Sequence, residues 1–302
     1  MSWRISSCIA ALAAGLVGTG FTEAPAPAMQ NMDCNGVAKQ GGLLICTGPP
    51  GGTLEIAGLK GKYARSVSLG AAGRAAVGLR RDESDYIQIS LRDTSLSIST
   101  PIEARDDPMR TITGLDCDKV DARTEAQKAH AGQSWVKKQA AFQTFHTGPG
   151  ATTGFRLPAA GPMSSPFGPA RKYIGVGKDG EPCEKTSIHR GYDIATPVGT
   201  EIIAPAAGTV TLGDPDLYYE GGTVFLDHGD GLVSVFMHMS HVDVEPGQEV
   251  TVGERLGASG NTGRTTGPHL HWAVKWRNVS ADDRGGDFYI DPALLLELQP
   301  AP

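Results

Sequence analysis

The chain is poor in charge and in aromatic residues: only 20% of its 302 residues are Asp, Glu, Lys or Arg, and only 6% are Phe, Trp or Tyr. Its 27 Lys and Arg are outnumbered by 33 Asp and Glu, giving a net charge of −6. A general nucleic-acid binder needs the opposite balance to neutralise phosphates, so that class is excluded. Beyond the first thirty residues no stretch approaches the roughly 18 consecutive apolar residues of a membrane-spanning helix. Strands do not alternate with long helices, which disfavours a doubly wound nucleotide-binding fold. There is no H-E-x-x-H motif to supply a glutamate base beside paired metal-binding histidines. What the chain does have is 40 glycines, 20 prolines and 40% hydrophobic residues. That is the profile of a turn-rich globular protein of two domains, not a coiled coil or a disordered tail.

Arg4 followed by the mostly apolar run Ile5 to Val17 reads as a secretory signal peptide over residues 1–28, with cleavage expected at Ala28. Cys8 lies inside that run, not after it, so it does not take the position of a lipoprotein anchor. Removing the signal leaves Cys34, Cys46, Cys117 and Cys183, an even number in a chain bound for an oxidising compartment. Cys34 and Cys46 flank a Gly41-Gly42 turn signal, which predicts a bridge between neighbouring strands and leaves Cys117 for Cys183, one of three pairings that four cysteines permit. The expected location is periplasmic or secreted, without stable membrane insertion once the signal is gone.

From Met32 to Cys117 short apolar runs alternate with Gly, Pro and Asp, predicting a β-rich amino-terminal domain over residues 29–118. Its clearest strand is Tyr86–Leu91, where Ile87, Ile89 and Leu91 share one face. Residues 119–154 change character: Lys119 to Phe145 has one glycine, no proline and many helix formers, then a glycine-rich loop follows. Trp135, Phe142 and Phe145 are spaced to share one helix face and are expected to pack on a neighbouring domain. Residues 155–302 return to strands, with Gly229-Asp230-Gly231 as a hairpin turn between two β-rich runs.

The chemistry concentrates in the second half. In His269-Leu270-His271, residues i and i+2 of a strand point the same way, so both imidazoles reach one point. His189 and Asp193, four apart in an extended segment, also share a face, and Gly191 between them allows close backbone approach. Imidazole nitrogens and a carboxylate suit zinc, and three protein ligands leave a fourth tetrahedral position open, as in catalytic sites. His238 follows Phe236 by two residues and Ser234 by four, so an unbroken strand would put all three on one face. His130 and His146 belong to the connector, and His228 and His241 are expected at the surface or just behind the site.

The flanking motifs add to this. Ser164-Ser165-Pro166-Phe167-Gly168, His189-Arg190-Gly191-Tyr192-Asp193, Ala204 to Val210, Phe236-Met237-His238-Met239, and Ser259-Gly260-Asn261-Thr262-Gly263 leading into Pro268-His269-Leu270-His271 occur in that order. Over residues 161–292 this resembles the lysostaphin-type, LytM-like zinc metalloendopeptidases. The resemblance implies a small antiparallel β peptidase domain that cleaves peptide bonds in peptidoglycan, so the whole chain is read as mainly β, with an amino-terminal β-sandwich-like module and a helical connector. It implies one zinc ion per chain held by His189, Asp193 and His271, with His238 and His269 as unligated catalytic histidines. Its implied partner is the peptidoglycan stem peptide, and it specifies no envelope or divisome protein partner. Phe236 departs from the tyrosine common two residues before the first catalytic histidine, which removes a hydroxyl contact. The amino-terminal stretches Gln40-Gly41-Gly42-Leu43 and Ile102 to Leu115 resemble the β domain that precedes this peptidase in some bacterial envelope proteins.

Two other functions compete. A non-catalytic member of the same fold would bind and activate other wall hydrolases; its mark would be missing ligands, and none is missing. A biotinyl or lipoyl carrier would need a lysine at a hairpin tip, where this chain has Gly229-Asp230-Gly231.

Overall fold

Period-two alternation of apolar residues builds most of this protein, and β6 shows the rule: Ile87, Ile89 and Leu91 are buried while Tyr86 and Gln88 face solvent. The computed structural model describes residues 31–117, 121–177, 180–279 and 286–298, so the expected signal peptide lies outside the described residues. Among the described residues eight strands precede the long helix: β1 (Asp33–Gly36), β2 (Leu43–Thr47), β3 (Thr53–Gly58), β4 (Arg65–Ser68), β5 (Arg74–Gly78), β6 (Tyr86–Leu91), β7 (Ser97–Pro101) and β8 (Arg110–Asp116). They form two small antiparallel sheets, β1-β2-β5 and β4-β3-β6-β7, while β8 leaves both and pairs in parallel with β10 (Ala170–Val176). Helix α1 (Glu125–Gln143) begins with a capping box, in which Thr124 and Gln127 satisfy each other's backbone N–H groups.

The strands after α1 are β9 (Met163–Ser165), β10, β11 (Pro182–Ile188), β12 (Tyr192–Ala195), β13 (Glu201–Ile203), β14 (Gly208–Leu217), β15 (Gly221–Gly229), β16 (Leu232–Met239), β17 (His241–Val242), β18 (Glu249–Val250), β19 (Arg255–Ala258), β20 (His269–Trp276) and β21 (Phe288–Ile290). The central sheet runs β18-β14-β15-β16-β20-β12-β9, with β21 also on β20. It is covered on both sides, which is why every residue of β15 and all of β16 except Met237 are buried. On its back, Phe236, Leu270, Trp272, Val274 and Trp276 join Leu43, Val77 and Ile89 of the amino-terminal module in one core. On its front, Phe225, Val233, Val235 and Ala273 pack against Ala141 and Phe142 of α1.

The module is therefore fastened to the back of the sheet. The Trp276 indole N–H donates to the Ala76 carbonyl at 3.0 Å, and Gly78 lies flat on the indole, where a Cβ would come within 2.7 Å. Arg105 bridges to Asp291 at 2.7 Å and to the Phe167 carbonyl at 2.6 Å. Cys34 and Cys46 are register partners on β1 and β2 and are bridged, and Cys117 is bridged to Cys183, so Cys183 is not available as a metal ligand.

Two expectations need correcting. Trp135 and Phe142 do lie on one helix face, but that face runs off the sheet: Phe142 is buried against Phe225, whereas Trp135 is 59% exposed and overhangs a cavity. Phe145 lies beyond the end of α1 and stacks on the Arg277 guanidinium at 4.0 Å. His228 is neither at the surface nor beside the site; it is fully buried behind the sheet, against Phe155. His241 is exposed, as expected.

Candidate metal centre

Three elements bring His189, Asp193 and His271 together. Asp193 on β12 and His271 on β20 are direct cross-strand partners, so their side chains leave the sheet side by side on its front. His189 stands just after β11, three residues before β12 begins. Gly191 makes the approach possible, since a Cβ there would lie 2.4 Å from His271 Nε2. His189 Nε2 is 3.0 Å from Asp193 Oδ1 and 3.1 Å from His271 Nδ1, and His271 Nδ1 is 2.7 Å from the same oxygen.

The donor set fits zinc. Bonds of about 2.0–2.1 Å in a tetrahedron put ligand atoms roughly 3.3 Å apart, close to the separations here. His189 Nδ1–H donates to the Pro166 carbonyl at 2.6 Å, which leaves the Nε2 lone pair directed at the cluster. Asp193 Oδ2 accepts from Arg171 at 2.7 Å, and Arg171 also donates to Ser165 Oγ at 2.8 Å. Burial alone would push the Asp193 carboxyl up, but the adjoining His189 and His271 imidazoles outweigh that and hold it far below the carboxylate range. Burial lowers the His271 pKa despite Asp193, favouring the neutral imidazole that a metal requires.

His238 and His269 flank this cluster, their rings 4.8 Å apart. His238 does not arrive by strand alternation. That pattern would send it to the back with Ser234 and Phe236, but its φ of 65° turns the chain and brings the ring within 6.1 Å of His271. The expectation that His238 shares a face with Phe236 is thus overturned by one left-handed residue, and Phe236 itself is buried in the rear core. His238 Nδ1–H donates to the Thr262 carbonyl at 2.9 Å and His269 Nδ1–H to the Gly267 carbonyl at 2.8 Å, so in both the Nε2 lone pair is left free. Burial, then the neighbouring His269 and His271, push the His238 pKa down to about 3.

All but one of these five side chains line a cavity of about 420 Å³; the exception, His189, is almost wholly buried beneath it. One wall comes from Arg110, Thr111 and Ile112 of β8, a strand supplied from before α1. Sequence reasoning missed Arg171 and Tyr173, which also line it; both lie on β10, outside every motif, and no local signal marks them.

A family model described as Peptidase family M23 matches residues 187–283. The chain is 38% identical over 149 residues to an uncharacterized metalloprotease of Haemophilus influenzae, covering 47% of this chain and 29% of that protein. It is 39% identical over 100 residues to the peptidoglycan DD-endopeptidase ShyA of Vibrio cholerae, covering 32% of this chain and 23% of the relative. The chain thus spans less than a third of the length of these curated relatives. A solved structure from Pseudomonas aeruginosa, given provisionally as a peptidase M23, is 28% identical with a TM-score of 0.56, over 86% of this chain and 95% of that one. Its coverage extends the likeness into the amino-terminal module.

Proposed function

Starting from a peptidase family M23 domain at residues 187–283, we propose that this protein is a zinc metalloendopeptidase that hydrolyses the peptide cross-links of bacterial peptidoglycan. The observation that supports this reading is the meeting of three potential ligand atoms at 2.7–3.1 Å with two further histidines whose Nδ1 atoms are each held by a backbone carbonyl within 2.9 Å. His189, Asp193 and His271 would hold one zinc ion. When bound, zinc supplies a Lewis acid that makes water nucleophilic near neutral pH. His238 and His269 then provide what the absent H-E-x-x-H glutamate would: each can accept a proton at Nε2 and return it to the departing amine. Their Nδ1–H bonds to backbone carbonyls fix both rings, so orientation is set before substrate arrives. Arg171 orients Asp193 through its 2.7 Å contact with Oδ2.

Relatives named as DD-endopeptidases favour the D-alanyl cross-link as the bond cut. Two disulfides suit an oxidising location, periplasmic or secreted. The test is digestion of purified peptidoglycan of known chemistry, with product masses identified. Zinc-loaded protein is expected to convert cross-linked dimers to monomers with the gain of one water, and a chelator is expected to stop it. If the zinc-loaded protein cleaves nothing, the competing role of a wall-hydrolase activator replaces this one.

A further inference from the structure

A second cavity, of about 570 Å³, is lined by residues that neighbour the ligand cluster in the chain and in the sheet. Arg190 follows the ligand His189, and Met237 stands directly opposite His271 in the sheet; both line this cavity. On β20 the front-facing residues run His269, His271, Ala273 and Lys275, so the cavity lies within roughly 13 Å of His271, about four residues of extended peptide. Lys275 and Tyr289 are register partners across β20 and β21, and the Arg190 guanidinium lies 5.8 Å from the Tyr289 ring.

The charges here do not cancel. Basic side chains lining the cavity outnumber acidic ones by five to three. Lys138 is paired with Glu220, and Arg80 with Asp82 at 3.5 Å. Lys275 contacts Asp287 at 3.7 Å and lies 4.1 Å from the Phe142 ring, and Arg81 pairs at 3.1 Å with Asp107 outside the cavity lining. Burial lowers the Lys275 pKa, opposed by Asp287 and aided by the nearby Arg277 and Arg190. Among the described residues Arg190 is exposed with no carboxylate in ion-pair range, and the Tyr289 hydroxyl has no hydrogen-bond partner. A guanidinium, a phenol and an ammonium thus face one space in which basic groups outnumber the acidic Asp82, Glu220 and Asp287, a donor set that a carboxylate can engage.

We infer that Arg190, Tyr289 and Lys275 form a carboxylate-binding subsite that engages a free carboxylate of the substrate peptide away from the bond cut. This rests on the peptidase reading for its substrate, since stem peptides carry free carboxylates, but not for its binding chemistry. The decisive measurement is calorimetric titration of zinc-loaded protein with a linear stem tetrapeptide, once as the free acid and once with its carboxylates amidated. The free acid is expected to bind at least about tenfold more tightly. Arg190→Gln and Tyr289→Phe are expected to abolish that preference while zinc content stays unchanged; Arg255→Gln, on the outer surface, should keep it. Equal binding of the two peptides by the unmodified protein, no measurable binding of either, or an undiminished preference in Arg190→Gln would overturn the subsite. Cleavage of a cross-linked dimer on the same preparations separates the two ideas. Cleavage without preference leaves the peptidase and removes the subsite, whereas preference without cleavage does the reverse.

Discussion

At the residue scale, the five side chains of the site divide into two classes that a single experiment separates. His189→Ala and His271→Ala remove nitrogens that lie within 3.1 Å of the other ligand atoms, so elemental analysis should find most of the zinc gone. His238→Ala and His269→Ala should keep the zinc and lose at least about a hundredfold in hydrolysis, the usual contribution of general acid or base groups. If His269→Ala strips the metal while His271→Ala retains it, the roles are exchanged. A different histidine governs acid stability. His228 Nδ1–H donates to the Ala207 carbonyl at 2.9 Å, and Ser234 Oγ, which accepts from the Trp272 indole at 3.2 Å, donates to His228 Nε2 at 2.8 Å. This neutral, fully buried ring has its pKa pushed by burial down to about 4. The unfolded chain therefore takes up a proton near pH 6.5 that the folded chain refuses until about pH 4. Stability from this group is complete above pH 6.5 and drains away as pH falls toward 4. Urea unfolding at pH 7 and pH 4.5 should show His228→Gln losing about 2–3 kcal/mol less than the unmodified protein over that interval. An identical loss in both would mean that the ring protonates freely in the fold.

At the element scale, α1 is the piece that turns the front of the sheet into cavities. Phe142 seals the sheet, and Trp135 and Lys138 stand over the space beyond it. Its start depends on the reciprocal bonds between Thr124 and Gln127, at 3.2 and 3.0 Å. Thr124→Ala leaves the Gln127 backbone N–H without its acceptor and should cost about 1 kcal/mol, read as a lowered melting temperature with no change in zinc content. A stability change indistinguishable from zero would show that the first turn adds nothing to docking. The break at the end of β16 acts at the same scale. One residue with φ of 65° converts a strand whose alternating positions belong to the rear core into the carrier of a front-facing histidine.

At the scale of the whole molecule, the amino-terminal module and the peptidase region share one core and should unfold together. Gly78 is a close point of that union, lying against the Trp276 indole, which is itself buried and bonded to Ala76. Gly78→Ala forces a Cβ into a ring that has nowhere to retreat, and overpacking of this kind costs about 1–3 kcal/mol. Calorimetry should show a single transition moved to lower temperature. Two transitions, with only the first displaced, would mean that the halves fold independently despite their common core.

What could be read from the sequence was whatever depends on neighbours along the chain. The strand at Tyr86–Leu91, the turn at Gly229-Asp230-Gly231, the bridge between Cys34 and Cys46, and the pairing of His189 with Asp193 and of His269 with His271 all follow from short-range spacing, because periods and turns are local properties. The tertiary structure alone decided the rest. Arg171 reaches Asp193 from a strand with no motif, and β8 walls the site although it precedes α1 in the chain. His228 is buried because the sheet is covered from behind, a fact that no window around residue 228 contains. His238 faces the ligands because a left-handed residue overrides alternation, and the Arg190, Tyr289 and Lys275 cluster exists because β20 and β21 pair at one register. In each case the deciding contact joins residues far apart in sequence, and local chemistry holds no record of which distant surface will close over it.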